Sequence, residues 1–206
     1  MRAAAVLAAV SLAFGQSRTL PPKDESGRDA KFAAFFARFR EIVRKKDHAA
    51  LLHVVDPNIK NSFGGDDGIA NFNRIWEMDR DDSPVFGTLA RLLGLGGSNF
   101  SPETYCAPYV AVRFPDDLDA FEHLVVSGTG VRLRAEASVT SPVLDRFSFD
   151  IVRMVEHGPE WTQVRTLSGV NGFVATRYLY SPVGFRACFV RRETGDWLLS
   201  MLVAGD

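Results

Sequence analysis

Residues 125–180, VVSGTGVRLRAEASVTSPVLDRFSFDIVRMVEHGPEWTQVRTLSGVNGFVATRYLY, decide the fold. Their apolar residues come in short runs. Val131 and Leu133 share one face of an extended segment, and Arg132 and Arg134 share the other. Val164 follows Trp161 across two polar residues, and Phe173-Val174 follow a glycine. Between the runs stand Ser127-Gly128-Thr129-Gly130, His157-Gly158-Pro159 and Ser168-Gly169, residue types that turn a chain. Short strands at near-even spacing predict small antiparallel strands in a compact β-barrel.

The order of residues in this stretch resembles a bacterial SH3 domain. The opening segment of that family is matched by Val131-Arg132-Leu133-Arg134-Ala135-Glu136-Ala137-Ser138. An apolar pair follows at Val143-Leu144, then Phe147, Trp161 and Val164, Gly169, Gly172-Phe173-Val174 and Tyr178-Leu179. The match covers about a quarter of the chain. It departs from the family at Arg132, where Asn is usual, at Glu136-Ala137 in place of Gly-Pro, and at Asp150, where Gly is common. Phe173 stands in place of a Trp and so brings no indole N–H donor. The resemblance implies a binding module, of a family that holds its companion domains to wall peptide, glycan or protein and does no chemistry itself. Trp161 and Phe173 are expected mainly as barrel filling. Tyr178 and Tyr180, whose amphipathic rings suit a half-exposed position, are the stronger ligand candidates. Arg134 completes the candidate set: Tyr178, Tyr180, Trp161, Phe173 and Arg134.

Upstream of this stretch the pattern is helical. Phe32, Phe35, Phe36, Phe39, Ile42 and Val43 recur at helical intervals, with Lys31, Arg38, Glu41, Arg44 and Lys45 between them. Core packing is the expected use of those phenylalanines. Asp47 is placed to cap a second helix carrying Leu51, Leu52, Val54 and Val55, with Pro57 as its stop. A glycine-rich loop at residues 64–68 carries Asp66 and Asp67. Together with Asp56 and Asn58, Asp67 nearly imitates a calcium loop, but Lys60 stands at a ligand position, Asn61 replaces the required glycine and Asp67 replaces the bidentate glutamate. A capping role for Asp66 or Asp67 on the next helix, with Ile69, Phe72 and Trp76 on one side, is the favoured reading, and they are weak metal candidates. Ser83-Pro84 opens a helix with Val85, Phe86, Leu89, Leu92 and Leu93 on its apolar face, ended by Gly94. Residues 105–112 read as a strand, and Asp116 as the cap of a short helix through Phe121. Downstream, two apolar runs joined by Glu193-Thr194-Gly195-Asp196 predict a hairpin. A lone hairpin is marginal in water, so it is expected to rest on the helical half.

The expected fold class is therefore α+β: a helical region with a C-terminal β-hairpin packed on it, plus a small SH3-like barrel. The expected division is 1–15 signal peptide, 16–28 flexible lead, 29–122 mainly helical domain, 123–181 barrel and 182–206 hairpin. The signal peptide is read from Arg2 followed by an apolar run too short to span a bilayer, with small residues at Ala13 and Gly15. This places the mature chain in the periplasm or outside the cell. No later stretch approaches a membrane span. The two cysteines, Cys106 and Cys188, leave two readings open: a bridge, which an oxidising compartment favours, or two small buried apolar residues.

Composition narrows the function further. A net charge of −1 gives no long-range pull toward nucleic acid. No nucleophile elbow, HExxH or phosphate-binding glycine loop is present. Cys106, followed by Ala107-Pro108, lacks the helix start that would activate a thiol. The expectation is an exported, non-enzymatic binding protein without a cofactor, whose partner is a cell-wall peptide or glycan, or an envelope protein. The alternative is a metal-dependent protein or enzyme with its site at residues 64–68.

Overall fold

The computed structural model describes residues 17–205; the expected signal peptide lies outside them. The chain is mixed helix and sheet, with its strands in two sheets. Helix α1 (Ala30–Lys45) begins where the Asp29 carboxylate accepts the Phe32 N–H at 2.8 Å, and ends where Lys46 turns left-handed. Its buried side is Phe32, Phe36, Phe39, Ile42 and Val43. After α2 (His48–His53) come β1 (Val55–Lys60), α3 (Ile69–Ile75) and α4 (Pro84–Gly94). Helix α4 is capped by Ser83 and buries Val85, Phe86, Leu89, Leu92 and Leu93, as its spacing predicts. Next are β2 (Ser98–Ser101), β3 (Thr104–Ala107) and α5 (Val110–Arg113).

The second sheet occupies the middle of the sequence: β4 (His123–Val126), β5 (Val131–Arg134), β6 (Val143–Phe147), β7 (Ile151–Glu156), β8 (Trp161–Thr166), β9 (Asn171–Ala175) and β10 (Leu179–Tyr180). The hairpin β11 (Arg186–Arg191) and β12 (Trp197–Val203) ends the chain.

The hairpin lies at the centre of a five-stranded sheet, order β1-β12-β11-β3-β2, with β1 parallel to β12 and the remaining pairs antiparallel. Phe189 on β11 sits among the rings of α1, with centroids 4.8 Å from Phe39 and 5.5 Å from Phe36. The expected support of the hairpin by the helical half is thus a shared aromatic core.

The second sheet is antiparallel and seven-stranded, order β10-β4-β7-β8-β9-β5-β6. Its inner residues, among them Val126, Leu133, Phe147, Val152, Val164 and Val174, form a core with one another alone. A sheet whose strands supply both sides of one core has to curl. Among the described residues it does not close, because β10 and β6 remain unpaired edges. Gly172 allows the curl: a Cβ there would meet the Arg134 carbonyl and the Leu133 side chain at 2.7 Å. On the other face, Val125, Ile151 and Tyr180 join the core of the first sheet. Arg91 of α4 fastens that junction, donating to the Leu179 carbonyl at 3.1 Å.

Several elements differ from the sequence reading. The second helix ends at His53, and Val54, Val55 and Pro57 are not in it. Pro57 is accommodated within β1 because β1 is an edge strand. The strand expected at 105–112 stops at Ala107, and the chain turns into α5. Asp116 caps no helix. Residues 116–121 are turns, in which Asp119 accepts from the Phe121 N–H. Neither Asp66 nor Asp67 caps α3: the cap position is Gly68, and the Asn61 amide instead donates to the Asp66 and Gly68 carbonyls.

Residues 18–28, expected as a flexible lead, form a strap across both sheets. Leu20 N–H donates to the Phe149 carbonyl and Ile151 N–H to the Arg18 carbonyl, each at 2.8 Å. Further on, Gly97 N–H donates to the Lys23 carbonyl at 2.8 Å. The strap runs so close that a Cβ on Gly96, at φ +71°, would meet the same carbonyl at 2.2 Å. Asp24 anchors the strap, accepting from the buried Tyr105 hydroxyl at 3.0 Å and from Arg40 at 2.7 Å. Burial pushes the Asp24 carboxyl up. Hydrogen bonds from Ser26 and Tyr105 and the charge of Arg40 outweigh it, so the pKa lies below the ordinary carboxylate value. A lowered folded-state pKa stabilises the fold above the unfolded value near pH 4, and this is lost as pH falls through the folded value. The melting temperature should therefore drop on acidification below about pH 4. Asp24→Asn should make that drop shallower in a calorimetric pH series. An unchanged slope would show that the anchor contributes nothing.

Candidate functional site

The curled sheet carries a groove of about 500 Å³. Its polar end is arginine. Arg132 and Arg146 sit directly opposite each other on β5 and β6, both exposed, and among the described residues neither side chain has a hydrogen-bond or salt-bridge partner. Arg177 lies over the Tyr178 ring, its guanidinium carbon 4.8 Å from the centroid. Arg134 is buried beneath, donating to the Ser141 carbonyl at 2.7 Å. The apolar wall comes from Trp161, Val139 and the Tyr178 ring. Among the described residues, no acidic side chain lines the groove.

Local pairing fixes these side chains. Trp161 opens β8 and pairs with Ala175, where β9 ends. The 3₁₀ turn Thr176–Tyr178 is tied back by the Thr176 hydroxyl, which donates to the Gly158 carbonyl at 2.8 Å, and by the Thr176 N–H to the Glu160 carbonyl at 2.9 Å. Tyr178 is thereby presented 39% exposed, and its carbonyl accepts the Ser127 N–H at 2.7 Å. The loop at 127–130 is held from the far side by the Ser148 hydroxyl, which accepts the Gly130 N–H at 3.1 Å.

Of the residues singled out from sequence, the structure brings Trp161, Tyr178 and Arg134 into one groove. Phe173 is half-buried, paired with Gln163 and Arg134, and does not line it. Tyr180, the other tyrosine expected as a ligand residue, does not line this groove. It is 8% exposed, lies in the core between the sheets and donates its hydroxyl to the Phe185 carbonyl. Burial pushes that hydroxyl's pKa well above the ordinary tyrosine value. The sequence reading missed Arg132, Arg146 and Arg177 as site residues. Alternation along β5 made Arg132 legible as outward-facing, but its meeting with Arg146 depends on strand register.

Among the described residues no group of three or more His, Cys, Asp or Glu side chains is placed to hold a metal ion. Asp66 receives only a 3.4 Å contact from the Ser62 hydroxyl on its carboxylate, and Asp67 accepts the Asn71 amide on its backbone carbonyl. Cys106 and Cys188, directly opposed on β3 and β11, form a disulfide. Among the described residues, no helix is long and apolar enough to cross a membrane. No protein-family model matches the chain, and no curated protein matches it.

Proposed function

We propose that the chain is an exported, non-enzymatic binding protein. Its curled second sheet is an SH3-like module that holds a cell-wall peptide or glycan, or an envelope protein. The observation that supports this most is the groove itself, an aromatic and guanidinium-lined channel on a sheet with its own core. Rigid, half-exposed Trp and Tyr rings give contact area at small entropic cost, and arginine forks orient polar groups of the ligand. The cleavable leader read from residues 1–15 agrees with delivery to the periplasm or the exterior.

Retention of the purified mature chain on cell-wall sacculi tests the reading. Tyr178→Ala, which removes an exposed ring and no core contact, should weaken retention about tenfold, in the range expected for an aromatic anchor. Its melting temperature should match that of the parent. A parent chain that is not retained would end the wall reading.

A further inference from the structure

The geometry points to an anionic ligand: the groove accepts an oxyanion, carboxylate or phosphate, at the Arg132–Arg146 pair, with an adjoining ring or apolar group against Trp161 and Tyr178. This rests on the groove being the module's binding face.

Like charges directly opposite on neighbouring strands repel, and sheets ordinarily avoid or neutralise them. Here Arg132 and Arg146 are directly paired, with no carboxylate in the groove and no partner among the described residues. Arg177, stacked on Tyr178, adds a further positive charge to the same opening. The concentration is local, because the whole chain carries a net charge of −1. A guanidinium presents paired N–H donors whose spacing fits carboxylate and phosphate oxygens alike. An anion between the two forks would remove the repulsion and accept from both. The apolar wall beside them suits a ligand whose charge adjoins a ring or aliphatic face, rather than a free inorganic ion.

The test compares full-chain binding to three sacculus preparations: untreated, with carboxylates converted to amides, and stripped of phosphodiester-linked polymer. Losing the relevant anion should weaken binding about tenfold, as should the double variant Arg132→Gln/Arg146→Gln. The treatment that weakens binding identifies the source as carboxylate or phosphate. The double variant should also flatten the dependence of binding on salt, since exposed charge contacts are screened. Arg165→Gln, an exposed arginine outside the groove, should change nothing. Equal binding to all three preparations, or undiminished binding by the double variant, overturns the anionic assignment and leaves the wall reading standing.

If no sacculus preparation is bound, the wall reading falls and the inference is tested separately. An N-acetyl dipeptide with a free carboxylate, its uncharged amide and glycerol phosphate are titrated against the Trp161 indole N–H signal. A shift with either anion but not with the amide supports the inference; no selectivity for charge overturns it.

Discussion

Phe189→Ala should lower the stability of the chain by about 3–5 kcal/mol, read from urea unfolding under non-reducing conditions. Phe189 is fully buried and meets four rings of one helix: Phe32 at 6.0 Å, Phe35 at 5.8 Å, Phe36 at 5.5 Å and Phe39 at 4.8 Å. Truncation removes both the buried area and the edge-to-face contacts, which add about 0.5–1.5 kcal/mol per pair beyond area. The rings left behind belong to a single helix anchored at both ends, so the cavity has little room to collapse. A domain typically has about 5–15 kcal/mol in total, so the loss is a large fraction of it. Phe100→Ala is the control: at 75% exposure it should cost no more than about 0.5 kcal/mol. A cost at Phe189 as small as that at Phe100 would mean that the hairpin and α1 do not share a core.

Removal of the Cys106–Cys188 bridge should be of similar size and act by another route. The cysteines are 82 residues apart in sequence, and their bridge closes a loop that contains the entire second sheet. Constraining a loop of that length in the unfolded chain corresponds to about 4.5 kcal/mol of closure entropy, and measured losses on removing native bridges run about 2–5 kcal/mol. The double variant Cys106→Ala/Cys188→Ala, or the reduced wild type, should therefore unfold at markedly lower urea. Because the term lies in the unfolded ensemble, the groove should be unchanged: ligand retention measured well below the unfolding midpoint should match the parent. A stability change under about 1 kcal/mol would rule out the entropic account.

Much of the helical half was legible because its signals are local. The phenylalanine spacing of α1, the Asp47 cap of α2 and the Ser83-Pro84 start of α4 each lie within one or two turns of sequence. Pairings made at a distance were not. Nothing near residues 55–60 shows that they run parallel to β12, and Pro57 argues against a strand until β1 is known to be an edge. Likewise the strap at residues 18–28 is polar and proline-bearing, and its order comes from Asp24 meeting Tyr105 and Arg40. In the site, Trp161 and Tyr178 were reached through the resemblance to a bacterial SH3 domain, with Trp161 expected mainly as filling, and not from the local strand and turn pattern. Tyr180 was not separable from Tyr178, because its burial comes from docking against α4 and the first core. The arginine pair is a fact of register, which a single strand does not reveal.

Strand β10 leaves the second sheet alongside β4, where the chain enters it, with Leu179 opposite Val126 and Tyr180 opposite Val125. In topological terms the sheet is a graft whose two cut ends touch. Exchanging it for another would require no movement of the helices or the terminal hairpin, provided the residues at the seam were kept. The remainder of the chain is in that sense a frame, to which the second sheet is joined along a single seam.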